Sequence, residues 1–419
     1  MDDPPSRRFN RFLPSALVSP KGHERPATFA LFALDGVGFG SWAAYLPTYK
    51  SALGLSDGGL GVALFAVVVG SLLSMPATGR ALSRRSTRAA TLVGCASFCL
   101  SIPLVTVAAT IVGTMWAFVL AAFVFGATKG IIDVAANAHA IGAEDDGGGP
   151  LLSTCHGGWS LGVLIGASLV AGALKVGMPP LLAITLIALG LLGVTAATSR
   201  ALVARRPTPA VGGARRSVWP RGRLVPLAAL AFLGLFCEGA MGDWAAIFLA
   251  DVSRSSASAA AFGFAAYSLV MMCGRFGGDR LVSRLGPPRV LALSGLSVAA
   301  GLGSALILRA YPAAVAGFAL VGLGVSNVVP ILFRSAGRDG DSGAAIASVS
   351  IVGYLGLLAG PPLIGALSQW AGLPAALSLV VLTGLAVAAG SRFVDDRNAT
   401  VLDTSKTLEE SIHACEPTV

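Results

Sequence analysis

Charge is scarce in this sequence. Acidic and basic residues together make up 12% of the chain, and apolar residues make up 54%. A soluble domain carries roughly 25% charged residues, so this chain cannot cover a water-facing surface. That shortage excludes an ordinary soluble globule. Cysteine is sparse as well. Cys95, Cys99, Cys155, Cys237, Cys273 and Cys415 show no paired spacing, so neither a disulfide framework nor a metal site is expected. Cys95 and Cys99 lie four apart in an apolar run and read as small packing residues. No G-x-x-x-x-G-K-[ST] loop occurs, which leaves direct ATP driving without support. No His/Cys cluster has metal-ligand spacing, and nothing suits enzyme chemistry.

Long apolar runs are what the sequence does have. Twelve stretches approach the roughly 20 residues that a spanning helix needs: about 27–49, 58–79, 87–107, 111–142, 151–174, 179–199, 224–250, 259–279, 288–308, 312–335, 342–368 and 373–393. The expected organisation is a polar tail over 1–26, a six-helix bundle over 27–199, a basic linker over 200–223, a second bundle over 224–394 and a polar tail over 395–419. The early S-R-R-F-N-R-F-L run resembles a twin-arginine signal, but no long apolar segment follows it before Pro20, so a tail is expected. With both termini inside, the inner segments hold 25 of the 30 basic residues. The outer loops hold Lys50, Lys175, Arg254 and Arg309, and Lys129 remains in a span. This asymmetry predicts an inner-membrane protein with cytoplasmic termini. It also accounts for the +9 net charge by topology, which argues against nucleic acid as a partner.

The halves repeat. G-S-W-A-A at 40–44 matches G-D-W-A-A at 242–246, Gly61 matches Gly263 at the same offset of 202, and R-A-L-S-R at 80–84 matches R-L-V-S-R at 280–284. Three anchors in one order imply a duplicated six-helix unit. The expected fold is therefore all-α, twelve transmembrane helices in two pseudo-symmetric bundles.

Against this background the stretch from Gly126 to Glu144 stands out. Lys129, Asp133 and Asn137 recur every four residues along one drifting helix face. A charge at mid-membrane costs roughly 3 kcal/mol even on the lenient insertion scale.

The layout of two like-oriented six-span halves resembles the major facilitator superfamily. Its loop signature G-x-x-x-D-R-x-G-R-R reads G-R-A-L-S-R-R-S-T-R here, from Gly79 to Arg88; Ser83 and Ser86 replace the Asp and Gly. The second half offers G-G-D-R-L-V-S-R-L-G from Gly277, with Asp279 and Arg280. D-V-A-A-N-A at 133–138, S-T-C-H-G at 153–157 and E-G-A-M-G-D-W at 238–244 resemble a bacterial subgroup related to fucose permease. That resemblance implies alternating access and proton-coupled symport of a small, sugar-like solute. No cofactor is implied beyond the proton gradient, and the partners are the solute and the bilayer. The rival resemblance is to drug–proton antiporters. Their fifth-helix G-x-x-x-G-P-x-x-G-G is matched without its proline at 162–169, and more closely at 356–365 in the other half. A transporter-derived receptor is a third reading.

Asp133, Asp35 and Glu238 are the candidate proton-coupling acids, since a carboxyl whose surroundings change during transport can take up and release a proton. For Asp133 the alternative is a static pair with Lys129, which could itself meet an anionic solute. Aligning the W-A-A triplets sets Asp35 against Cys237, so Asp35 and Glu238 are not strict equivalents. Asn137, Lys129, Asn327, Trp42 and Trp244 are candidate solute contacts. Asn137 could equally bridge helices, and the tryptophans could equally belong to an interfacial aromatic belt. Pro330 suggests a kink that turns the region of Asn327 towards a cavity. Tyr45, Phe264 and Tyr267 could also stack on a ring. His156, expected near the cytoplasmic surface, is a gating candidate together with Arg84, Asp279 and Arg280. Asp243 is a gate or interfacial residue, and His139 a packing or interfacial one. Gly36 with Gly40, and Gly356 with Gly360, read as close-packing pairs.

Overall fold

A computed structural model describes residues 23–82, 84, 86–144, 151–205, 219–337 and 342–394. These form twelve helical spans, each long and apolar enough to cross a membrane, and no strand occurs among the described residues. The spans are α1 (Glu24–Ala52), α2 (Asp57–Leu82), α3 (Thr87–Val112), α4 (Met115–Ala143), α5 (Leu152–Lys175), α6 (Pro180–Thr198), α7 (Leu224–Asp251), α8 (Ala257–Leu285), α9 (Pro287–Leu308), α10 (Tyr311–Ala336), α11 (Ser342–Ala371) and α12 (Leu373–Gly390). The expected terminal tails lie outside the described residues, apart from residues 23–26, of which 24–26 already belong to α1.

Local chemistry sets several ends. Ser86, Thr114 and Ser256 accept the backbone N–H of Ala89, Ala117 and Ala259, capping α3, α4 and α8. The start of α5 has no capping side chain of its own. Glu144 supplies one, its Oε1 accepting the N–H of Leu151 at 2.5 Å and of Leu152 at 2.8 Å. The boundary between the third and fourth spans differs from the expected one. A π-helical turn, Ala108–Val112, carries α3 past residue 107, and Gly113 in the left-handed region (φ 66°) ends it.

The span α10 is also built differently from expectation. It breaks at Ser326–Asn327, before Pro330, which sits in the first turn of a second helix, Val328–Ala336. A proline there removes no intrahelical hydrogen bond. Asn327 is buried and donates to the Gly274 carbonyl of α8 at 3.1 Å and to Ser326 Oγ at 2.9 Å. The amide thus fastens the broken strand of helix to its neighbour instead of facing a cavity.

Helix pairing repeats between the halves. The neighbours α1–α5, α2–α4, α3–α4 and α3–α6 have as counterparts α7–α11, α8–α10, α9–α10 and α9–α12. The halves meet along α5–α8 and α2–α11, which are themselves counterparts. Most of these pairs are packed through glycine. A Cβ on Gly36 would lie 2.0 Å from the Trp159 carbonyl oxygen, and one on Gly40 would lie 2.3 Å from that of Val163. In the other half, a Cβ on Gly356 would lie 2.0 Å from the Phe232 carbonyl oxygen. Such backbone approach lets dispersion hold helices together where lipid removes the hydrophobic incentive. The five described cysteines are free, and four of them are buried.

The ends of the spans define two faces. The linker face carries the starts of α1, α3, α5, α7, α9 and α11; the far face carries their ends. On the linker face the start of the expected linker is docked. Glu24 binds the Arg205 guanidinium and accepts the Val203 N–H at 3.2 Å, while the Thr87 N–H donates to the Arg205 carbonyl at 2.7 Å. His139 is fully buried in this cluster, 3.2 Å from Thr87 Oγ1 and 3.1 Å from Glu24 Oε1. Residues 200–205 therefore belong to the first bundle.

Replacing Gly36 with valine forces α1 and α5 apart, an overpacking of about 1–3 kcal/mol or more. The purified variant should melt several degrees lower or elute as aggregate. Gly190→Val, where a side chain meets open space, should leave melting and elution unchanged.

Candidate functional site

At mid-depth in the first bundle, Lys129 of α4 lies between two carboxylates. Its Nζ is 2.5 Å from Asp133 Oδ1, one turn along the same helix, and 3.1 Å from Asp35 Oδ2 of α1. The side chain of Asp35 is 7% exposed and that of Asp133 is 32% exposed. Asp35 Oδ1 is buried without a hydrogen-bond partner, and Trp159 of α5 lies beside this carboxyl. Asn137 donates to the Asp133 backbone carbonyl at 2.7 Å, which leaves its own side-chain oxygen uncommitted.

The second bundle contributes a matching pair. Arg275 of α8 donates to Glu238 Oε1 of α7 at 2.6 Å, and its other terminal nitrogen donates to Ser160 Oγ of α5 at 2.6 Å. Arg275 therefore ties the two halves together in mid-span. Sequence reading missed it by counting it among the inner cations. The available signal was a lone arginine inside the apolar stretch 259–279.

His156 does not sit at the surface as expected. Its ring is accessible, packs edge-on against Phe32 at 5.4 Å, and is acted on by the charges of Arg275, Asp133, Glu238 and Lys129. Tyr354 of α11, 49% exposed, feels Asp133, Lys129 and Glu238. The exposed side chains of His156 and Tyr354, from α5 and α11, mark open space between the two ion-pair clusters. Phe39 and Trp159, both half-buried, form a tilted ring pair 5.6 Å apart beside Asp35.

Other expected residues lie elsewhere. Trp42 is 2% exposed and stacks on Phe125 at 5.0 Å and Phe118 at 6.0 Å. Trp244 is fully buried and packs close to Gly365. Both tryptophans are helix packing in this structure, neither cavity wall nor interfacial belt. Tyr45, Phe264 and Tyr267 are likewise buried. Asp243 is partly exposed within α7. Arg84, Asp279 and Arg280 are exposed on the linker face, where Asp279 pairs at 2.8 Å with Arg334 of its own half.

Contacts that close the protein instead gather at the far face. Lys50 of α1 binds Asp57 of α2 at 2.5 Å and also Asp251 of α7 in the other half. Ser368 of α11 donates to Asp57, and Gln369 accepts the Gly58 N–H at 3.2 Å. Ser258 of α8 donates to the Ala171 carbonyl of α5 at 2.8 Å.

The family model for the Major Facilitator Superfamily matches residues 27–339. The chain belongs to that superfamily. An uncharacterized MFS-type transporter of Yersinia pestis is 37% identical over 379 residues, 90% of this chain and 97% of that protein. Membrane protein MosC of Rhizobium meliloti is 30% identical over 379 residues, covering 87% and 88%. Among solved structures, the nucleoside transporter NupG matches with TM-score 0.64 and 12% identity, covering 88% of this chain and 98% of that one. The Escherichia coli fucose:proton symporter FucP matches with TM-score 0.59 and 16% identity, covering 89% and 98%. These likenesses establish the fold. This superfamily member is a multi-pass membrane protein and a secondary transporter, not an enzyme.

Lys50→Ala should loosen the far face. With spin labels at Ala52→Cys and Arg254→Cys, in a background where the exposed Cys273 is serine, the inter-label distance distribution should shift to longer values. An unchanged distribution would show that Lys50 does not hold the closure.

Proposed function

We propose that this transporter is a proton-coupled symporter for a small, hydroxyl-rich, sugar-like solute. It resides in the plasma (inner) membrane with the linker face and both termini in the cytoplasm. The observation that carries this reading is Lys129 held between Asp35 and Asp133 in mid-span. Protonating Asp133 removes half of that arrangement and leaves Lys129 to Asp35 alone, which links proton binding to the packing of α1 against α4. Glu238 and Arg275 repeat the device in the other half, and the Arg275–Ser160 hydrogen bond connects it to the interface that alternating access must shear. His156 lies in the field of both pairs and serves as the group between them.

The solute's polar groups meet Asn137 and Lys129, and its apolar ring face meets Trp159 and Phe39, whose exposed edges replace the buried Trp42 and Trp244 in that role. The fucose:proton symport of FucP agrees with this reading.

A thermal-shift screen against sugars, nucleosides, amino acids and drugs supplies the solute, because specific binders stabilise the folded state by mass action. In proteoliposomes carrying a pH-sensitive dye in the lumen, adding that solute outside should acidify the lumen. Alkalinisation of the lumen would establish exchange, the drug or metabolite antiporter reading. Asp133→Asn should abolish gradient-driven accumulation while counterflow exchange partly survives. Normal uphill accumulation in that variant would remove Asp133 as the proton carrier.

A further inference from the structure

Three carboxylate oxygens and one amide oxygen of the central cavity are left without a hydrogen-bond partner among the described residues. Lys129 is engaged by Asp133 and Asp35, and Arg275 by Glu238 and Ser160. Asp133 Oδ2, Glu238 Oε2 and the Asn137 side-chain oxygen have no hydrogen-bond partner among the described residues. Asp35, more than nine-tenths buried, keeps Oδ1 unpartnered within the same cluster. His156 and Tyr354 can each donate or accept.

The charge inventory points the same way. With all groups ionised, three carboxylates (Asp35, Asp133, Glu238) face two cations (Lys129, Arg275), which leaves one negative charge. The most exposed member is an acid: Asp133 is 32% exposed, against 15% for Lys129 and 19% for Arg275. A solute carboxylate would meet only cations that are already paired and would add a second uncompensated negative charge to the site, which is strongly unfavourable. A neutral hydroxyl would satisfy acceptors but leave the surplus charge. A protonated amine does both, with three N–H donors and one positive charge.

We propose that the solute taken by this cavity bears a basic nitrogen on a hydroxylated frame, as amino sugars do, and that Asp133 is the carboxylate that receives the ammonium. This rests on the cavity being the solute site; since a protonated Asp133 cannot receive the ammonium, in a symport cycle the proton passes to Asp35 or Glu238 when the solute binds.

The test is a binding titration on the purified full-length protein in detergent, with no gradient imposed. Glucosamine, galactosamine and mannosamine are each compared with the parent hexose and the corresponding uronate. Expected is at least a ten-fold preference for one or more amino sugars over the parent hexose, with no stabilisation by the uronates. Asp133→Asn should reduce the preference about ten-fold. Glu238→Gln provides a second variant should the first fold poorly, and should also weaken amine binding. A uronate or a neutral hexose that matches its amino twin overturns the proposal, and so does a panel in which no amino sugar binds. Amino sugars that bind but move no protons in vesicles would sink the symport reading and leave this one standing. Neutral hexoses that bind equally well and drive proton uptake would do the reverse.

Discussion

A charge placed inside an apolar span must be matched, and this requirement organises the centre of the protein. Lys129 cannot sit in α4 without a counter-charge, and a single acid one turn away would leave it on the edge of its own helix. Asp35 completes the arrangement from α1. Arg275 is matched in the same way by Glu238, with Ser160 taking its remaining hydrogen bond. Each match draws on different helices, so each ion pair also states how those helices are packed. Removing one partner would strand the other in a medium that cannot solvate it.

The pairs can lie this close because the backbones do. Small residues on α1 and α5, and on α7 and α11, bring the helices to backbone contact, which places Asp35 and Trp159 side by side. Polar contacts that join the halves cluster away from this centre, around Lys50, Asp57, Asp251, Ser368 and Gln369 at the far face. The two tasks, holding charge in mid-span and holding one end shut, are thus assigned to different residues. Arg275 alone, among the contacts described, takes part in a mid-span charge pair and joins the halves.

Much of the fold was legible because its signals are one-dimensional. Twelve apolar runs, a basic linker and three repeated anchors lie directly in the chain, and spanning length follows from bilayer thickness. The pairing of Lys129 with Asp133 was legible because four residues make about one helical turn. The small-residue spacing at Gly36 and Gly40 was legible for the same reason. The ion pair between Lys129 and Asp35 was not legible, since nothing along the chain relates residue 35 to residue 129. Trp42 and Trp244 misled because an aromatic ring in the outer half of a span reads alike whether it faces lipid, solute or a neighbouring helix. Asn327 misled because a proline marks a break without saying on which side the chain yields.

The sequence by itself determined that the chain crosses a membrane twelve times, that its halves are copies, and that costly polar residues gather in α4. These follow from composition and period, which do not depend on how helices meet. Tertiary structure alone decided which acids share Lys129, that Arg275 reaches from one half to the other, and that Trp159, Phe39, His156 and Tyr354 surround the charges. Those facts depend on helix rotation and approach distance, and both are set by side-chain packing between segments far apart in the chain.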